Sequence, residues 1–406
     1  MSTPSIQPPS TYEPLNENTV VQFVKKLNYF TEDAALQVRE IGDGNLNLVF
    51  HIVDESHAKS IIVKQALPYA KVVGESWPLT LERARFESSY LQKAAEYVPN
   101  LVPKVHYYDE SLGLFVMDDL SSHLILRKGT IEGIQYPHLA RDIGTFVAKV
   151  TFYTSDFYLH PFEKKQLVKQ FINPELCKIT EDLVFTDPFF DHETNDFPTE
   201  IREAVEQLWN DSELRHEVAK LKFQFLTQAE ALLHGDLHTG SIFVTPESTK
   251  VIDPEFSFFG PIGFDLGQFF ANIILSYLSQ EAHILSSKER KQYQSYLVDT
   301  LKQTWSSFKQ EFSKLWENEG NEVYTQVPGT LESFLGKVWV DAVGFAGCEV
   351  IRRTIGLAHV ADLDTIQDLT QQYQLKEKAL ELGTYFIKNR TQITNMEQLI
   401  QVFYQE

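Results

Sequence analysis

The sequence predicts an α+β chain in two parts, a small antiparallel-sheet region over residues 1–120 followed by a larger, mainly helical region over residues 121–406. Three observations carry this. Short β-branched or alternating runs and glycine-bearing turns crowd the first part. Apolar residues recur at helical spacing through most of the second, and one short hairpin near residues 241–253 interrupts them. A chain of 406 residues, 43% of them hydrophobic, can bury the core that two such parts need.

Asn18 is placed to cap a helix that runs through Val20, Val21, Phe23, Val24 and Leu27. The stretch IGDGNLNLVFHIVD from Ile41 reads as a hairpin, with Leu46, Leu48, Phe50 and Ile52 at a spacing of two. SIIVKQA, Ser60–Ala66, is a second strand run, and PYAKVVGESWPLT after it reads as a loop. A helix is expected over Thr80–Ala95, then a strand in GLFVMDDL, Gly113–Leu120. Beyond it, IGTFVAKVTFYT and KLKFQFLTQAEALL read as helices, and TDPFFDHETNDFPTE, Thr186–Glu200, as a surface loop. Ser241–Val244 and Lys250–Asp253 form the arms of a hairpin joined by PEST, and helical sequence follows from Phe264. No repeat or low-complexity block occurs.

A formal net charge of −20 argues against a nucleic-acid or anionic-membrane partner. The two cysteines, Cys177 and Cys348, lie far apart and outside any CxxC pattern, which supports neither a disulfide framework nor a thiolate metal site and points to a reducing, cytoplasmic setting. Met1–Pro14 lacks the basic and apolar segments of a signal peptide and reads as a loose tail. The longest apolar runs, such as Phe269–Leu278, fall well short of the roughly 20 residues of a membrane span.

The sharpest local signal is the pair HGDLHTGS and IDPEF, which puts Asp236, Asp253 and Glu255 on and around one hairpin. Phosphoryl transfer needs a carboxylate to orient and deprotonate the attacking hydroxyl, a role that fits Asp236, and others to hold magnesium against the phosphates, which fits Asp253 and Glu255. Taken singly, such acids are ordinary turn and cap residues. His234 and His238 raise a zinc reading, but without a third ligand His234 reads better as a residue orienting the loop. Lys64, central in its strand, is placed to meet nucleotide phosphates, although a lone strand lysine usually faces solvent. Its partner is sought on the next helix, where Glu87, beside Phe86, Tyr90 and Leu91, is preferred to Glu82. Gly42 and Gly44 allow close backbone approach to phosphate, as any hairpin turn would. Backbone groups at Asp118, Asp119 and Leu120 are candidates for adenine; the alternative is a polar strand end.

Together with VGESWP, DPEFSFFGPIGFDLG and AGCEVIRRTIG, these stretches resemble, over nearly the whole chain, the kinase-like phosphotransferases that include aminoglycoside, choline and methylthioribose kinases, and most closely the last. The resemblance implies a protein-kinase-like two-lobed fold, Mg-ATP as donor, the 1-hydroxyl of 5-methylthioribose as acceptor and a homodimer. By motif it carries ATP contacts onto Gly44, Asn47, Lys64, Glu87, Asp118–Leu120 and Asp253–Pro254–Glu255, with Asp253 and Glu255 on magnesium. It carries substrate contacts onto Asp236, Arg352 and Arg353, guanidinium forks suited to a phosphoryl group, and onto Trp77. Without it, the arginines would read as helix-surface residues and Trp77 as a packing anchor. Asp265 takes the place of a buried aspartate bracing the catalytic loop. Ser241 stands where these enzymes commonly have a metal-binding asparagine, and Glu255 is expected to replace it. The competing readings are a kinase for another small alcohol, such as choline, an aminoglycoside or a different sugar, and an inactive nucleotide-binding module; the second would have lost Lys64 or a carboxylate.

Overall fold

A computed structural model describes residues 12–41, 46–70 and 74–404, with the backbone alone for residues 70 and 74–78. Gly42, Gly44 and the side chain of Trp77 lie outside the described residues. The chain divides into two compact units, one reaching to His123 and including Ile252–Phe256, the other comprising Leu124–Val251 and the residues from Ser257 onward.

In the first unit, helix α1 (Glu17–Lys26) starts two residues earlier than its sequence suggests. Asn16, not Asn18, is the cap: its side chain accepts from the N–H groups of Asn18 and Thr19, and the Thr19 hydroxyl accepts from the Asn16 N–H. The reciprocal bond to Thr19 selects Asn16. Strands β1 (Leu36–Glu40), β2 (Asn47–Asp54) and β3 (Lys59–Ala66) follow, then a small hairpin of β4 (Tyr69–Ala70) with β5 (Gly74–Pro78), where the sequence reads as loop. Helix α2 (Glu82–Ala95) leads to β6 (Val105–Asp109) and β7 (Leu114–Asp118). The main sheet is antiparallel in the order β1-β2-β3-β7-β6. Strand β6 escapes the sequence reading because all five of its residues are half-buried, leaving no alternation to detect.

The pleat decides where Lys64 points. Ile61 and Val63 pack with Val20, Val24, Phe50, Ile52 and Val116 in one core, so Lys64, next along the strand, belongs to the opposite face. Helix α2 packs against β3, β6 and β7 on that side, bringing Glu87 to it.

The second unit opens with β8 (Leu124–Ile125), α3 (Leu126–Ile131), α4 (Leu139–Thr154), α5 (Pro161–Gln170), α6 (Pro174–Phe185), α7 (Arg202–Asn210) and α8 (Ser212–Thr227). Ala231–Leu233, read from sequence as the end of a helix, is strand β9; the hairpin of β10 (Ile242–Val244) and β11 (Thr249–Val251) pairs with β8, and β12 (Phe258–Gly260) pairs with β9. Residues 186–200 are not wholly a surface loop, because Phe189 is fully buried in the core with Phe225, Phe264, Phe345 and Ile351. Helices α9 (Gly263–His283), α10 (Ser287–Glu319), α11 (Thr330–Ile355), α12 (Ala361–Asp364), α13 (Leu369–Asn389) and α14 (Met396–Tyr404) complete it. Among the described residues no helix is long and apolar enough to cross a membrane.

Helices α9 and α11 touch backbone to backbone at Gly267, where an added Cβ would lie 2.7 Å from the Ala342 carbonyl oxygen and 2.9 Å from the Ala346 nitrogen. Gly267→Ala gains about 1 kcal/mol of helix propensity. It must also force two helix backbones apart, so a net loss of about 1–3 kcal/mol is expected, read as a lower urea midpoint.

Candidate active site

In the first unit, two buried cations face three carboxylates. Lys64, 5% exposed, donates to Glu87 Oε1 at 2.8 Å and to Asp253 Oδ1. Burial works to strip the ammonium of its proton, but Asp253, Glu87 and Glu255 outweigh it and hold Lys64 above its ordinary value. Glu87 is pushed up, chiefly by its own burial and further by Asp253 and Glu255, with Lys64 opposing.

Arg83, fully buried on α2, serves five acceptors. Its Nη1 reaches Glu255 Oε2 at 2.7 Å and Asn47 Oδ1 at 3.4 Å, its Nη2 the carbonyls of Leu46 and Leu67 at 2.8 Å each, and its Nε that of Thr80 at 3.1 Å. Asn47 Nδ2 also donates to Glu255, at 3.5 Å. The structure thus gathers Asn47, Lys64, Glu87, Asp253 and Glu255 around one turn, Pro254–Phe256, entered by Asp253 with a left-handed φ of 60°. A non-glycine residue held there is a mark of local constraint. Asp253, with its side chain 43% exposed, and Glu255 offer the hard oxygens magnesium prefers, and two carboxylates suffice where phosphate oxygens and water complete the shell.

Asp118, Asp119 and Leu120 lie at the end of β7. The Asp118 carboxylate meets His106 Nε2 at 2.7 Å and the Lys104 N–H at 2.9 Å, and its own N–H bonds the Lys104 carbonyl. Asp119 Oδ2 meets His51 Nε2 at 2.9 Å and the Ser60 hydroxyl at 2.7 Å, and the Leu120 carbonyl accepts from the His123 N–H. Both acidic side chains therefore stitch strand ends.

In the second unit, the loop after β9 hangs from α9. Asp265 accepts the N–H groups of His234 at 2.7 Å and Gly235 at 3.0 Å, and Gln268, one turn on, accepts that of Leu237 at 3.0 Å. Asp265 is the brace its sequence position suggests. Ser241 is no spare ligand either: its hydroxyl oxygen accepts the His238 N–H and lies 2.9 Å from the Asp236 and His238 carbonyls, closing the loop's 3-10 turn.

His238 Nδ1 accepts the Gly240 N–H at 2.8 Å, so the ring proton sits on Nε2, which lies 3.2 Å from Asp236 Oδ2 and donates to it. A Cβ at position 240 would stand 2.8 Å from that Nδ1 and displace the ring. Burial foremost, with the Arg353 and Arg127 charges, lowers His238 to about 4, so it is a neutral donor near pH 7. His234 Nδ1 is taken by the Asp236 N–H at 3.2 Å. The Nδ1 of each ring is spent on a backbone N–H, and among the described residues no group of three or more His, Cys, Asp and Glu is arranged to hold a metal, which leaves the zinc reading without support.

Asp236 Oδ1 accepts from Arg352 Nη2 at 3.0 Å, Arg353 Nη2 at 3.2 Å and Gln268 Nε2 at 3.4 Å. Burial raises the carboxyl, but His238 and the two guanidiniums prevail and hold it well below the usual range. With its side chain 24% exposed, Asp236 remains open to an incoming group. Arg127 Nη2 backs His238 at 3.4 Å, and Glu349 holds the Nε of both arginines.

Sequence reasoning missed Arg83, Gln268, Arg127 and Glu349. Arg83 carries no signal, since one arginine in an amphipathic helix reads as a surface residue. Asp265 with Gln268 and Glu349 with Arg352 and Arg353 do carry one, the i,i+3 and i,i+4 spacing that sets side chains on one helix face.

Residues 37–281 match the model of a phosphotransferase enzyme family, APH. A methylthioribose kinase of Geobacillus kaustophilus (strain HTA426) is 58% identical over 394 residues, covering 97% of each chain. Another, of Geobacillus sp. (strain WCH70), is 56% identical over 397 residues, 98% of this chain and 97% of that one. The solved structure of a Plasmodium vivax ethanolamine kinase superposes with a TM-score of 0.49 at 12% identity, over 92% of this chain and 91% of that one. The identities extend over nearly the full length of this chain, which therefore belongs to the methylthioribose kinases of the phosphotransferase enzyme family.

Proposed function

We propose that the protein transfers the γ-phosphoryl group of ATP to the 1-hydroxyl of 5-methylthioribose, forming 5-methylthioribose 1-phosphate and ADP. The observation that carries this is Asp236, a partly exposed carboxylate in a loop braced by Asp265, with two guanidiniums on one of its oxygens, in a chain 58% identical to a methylthioribose kinase.

Lys64, positioned by Glu87, meets the ATP phosphates, assisted by Asn47, Gly44 and the backbone at Pro254; Asp118–Leu120 meet adenine and Trp77 the sugar. Asp253 and Glu255 would hold Mg2+, which when bound neutralises charge on the phosphate oxygens. Asp236 orients the sugar hydroxyl and takes its proton as the new O–P bond forms and the bond from the γ-phosphorus to the ADP oxygen breaks. A strongly acidic Asp236 is a weak base, so it serves best late, in a loose transition state in which the hydroxyl gives up its proton after the bond to ADP has largely broken. Arg352 and Arg353 then bind the transferring group. The family resemblance and the two free cysteines support a cytoplasmic enzyme, and the resemblance a homodimer.

A coupled ADP-release assay over 5-methylthioribose, ribose, choline and kanamycin is expected to show turnover on the first, and Asp236→Asn to lower kcat by about 10²–10⁴. Turnover on choline or kanamycin alone would transfer the chain to the competing reading, and Mg-ATP binding without turnover on any of them to that of an inactive module. Glu255→Gln is expected to raise the magnesium concentration needed for half-maximal rate by about tenfold. Wild-type magnesium dependence in that variant would leave Glu255 only as the partner of Arg83.

For His238, burial favours the neutral ring, so its contribution is complete above the ordinary value of 6.5 and is lost as pH falls toward about 4. Protonation removes the Nδ1 acceptor on which the Gly240 N–H depends. The profile of kcat against pH is therefore expected to show no transition near 6.5 and an acid limb approaching about 4.

A further inference from the structure

Glu349 is fully buried on α11. Its carboxylate is divided between the next turn's two arginines: Oε2 accepts from Arg352 Nε at 2.5 Å, and Oε1 from Arg353 Nε at 2.7 Å and Asn272 Nδ2 at 3.2 Å. Each guanidinium thus gives its Nε edge to Glu349 and turns an Nη to Asp236. Two like charges packed side by side in a buried site need such a counterion. Burial opposes the charge on Glu349, but the arginines hold the carboxyl down to about 2, so it stays ionised.

We propose that Glu349 is a positioning residue for phosphoryl transfer, which aims the Arg352–Arg353 pair and sets its charge so that the pair stabilises the transferring group without retaining the phosphorylated product. The inference rests on the reading that the arginine pair binds that group. With Glu349 and Asp236, two guanidiniums face two carboxylates and the cluster is formally neutral. Without Glu349 it carries one net positive charge, which favours a bound phosphate ester and slows its release.

Glu349→Gln keeps the shape and removes the charge. The expected result is a kcat lower by about tenfold and an inhibition constant for 5-methylthioribose 1-phosphate lower by about fivefold, with the KM for ATP within about twofold. A residue that merely supports the fold would weaken product binding when replaced, so inhibition unchanged or weaker overturns the inference. Glu349→Asp restores the charge but is one methylene too short to reach both Nε atoms. It is expected to lower kcat with product inhibition within about twofold of wild type, and it carries the test alone if Glu349→Gln does not fold; wild-type kcat in it would overturn the aiming role. Arg352→Gln and Arg353→Gln separate the two ways to fail. If both leave kcat and product inhibition unchanged, the reading of the arginine pair is wrong; if they act and Glu349→Gln does not, the Glu349 inference alone falls.

Discussion

The first unit depends on the ammonium of Lys64 and its two carboxylates, Glu87 and Asp253, which stand 23 and 189 positions away in the chain. A lysine buried on the helix-covered face of a sheet must be paired or lose its charge. Glu87 comes from the helix that packs on that face. Asp253 arrives only after the chain has built β8 to β11 of the other unit, yet Ile252–Phe256 belongs compactly with the first. Arg83 doubles the tie by holding Glu255, and it also binds the carbonyls on either side of the β2–β3 strand pair, at Leu46 and Leu67. Buried charge thus fixes the turn Pro254–Phe256 where apolar packing alone would not specify it, and the left-handed Asp253 is the conformation that lets acids at 253 and 255 meet two different cations.

In the second unit the same problem is met by helix periodicity. Asp265 and Gln268 lie one turn apart on α9 and catch three N–H groups of the loop after β9, while Glu349, Arg352 and Arg353 lie within about one turn on α11. The two helices can align these rows closely because Gly263 and Gly267 let their backbones touch. Asn272, one further turn along α9, donates to Glu349 and accepts from Arg127, joining both rows to the residue behind His238. Packing and electrostatics are therefore one arrangement here, since a helix displaced at Gly267 would carry its polar row with it.

How much of this the sequence discloses follows from what each residue must do. Strand β2 was legible from apolar residues at a spacing of two, β3 from its β-branched run, and the hairpin at Ile242–Val251 from the turn residues that join its arms. That Lys64 meets Glu87 and Asp253 was legible because a strand lysine, a glutamate on the next helix and an acid after the hairpin are residue types that phosphoryl chemistry would use together. Strand β9 was not, since ALLHG continues a helical pattern until its pairing with β12 is known. The Asn16 cap and Phe189 were also misread: a cap two residues from a second candidate, and a core anchor inside an acidic stretch, are decided by partners that local sequence does not name. Arg83 is the extreme case, a buried cation whose acceptors are mostly backbone carbonyls and so leave no trace in composition.

The two clusters also differ in charge, and the difference bears on their roles. Around Lys64 and Arg83 three carboxyl groups crowd two cations, and Glu87 is pushed up chiefly by its burial and further by the crowding of Asp253 and Glu255. A divalent cation would relieve it, most readily at Asp253, the most exposed of the three. Around Asp236 the balance is even, with Arg352 and Arg353 against Asp236 and Glu349, and Arg127 against Asp362 3.3 Å away. An even balance does not draw a free metal ion. It can accept an anionic phosphoryl group only by sharing arginines that Asp236 now holds, and each Nη so released leaves that carboxylate a stronger base. Under the proposed mechanism, binding of the transferring group and the capacity of Asp236 to take the sugar's proton would thereby be linked through the same two guanidiniums.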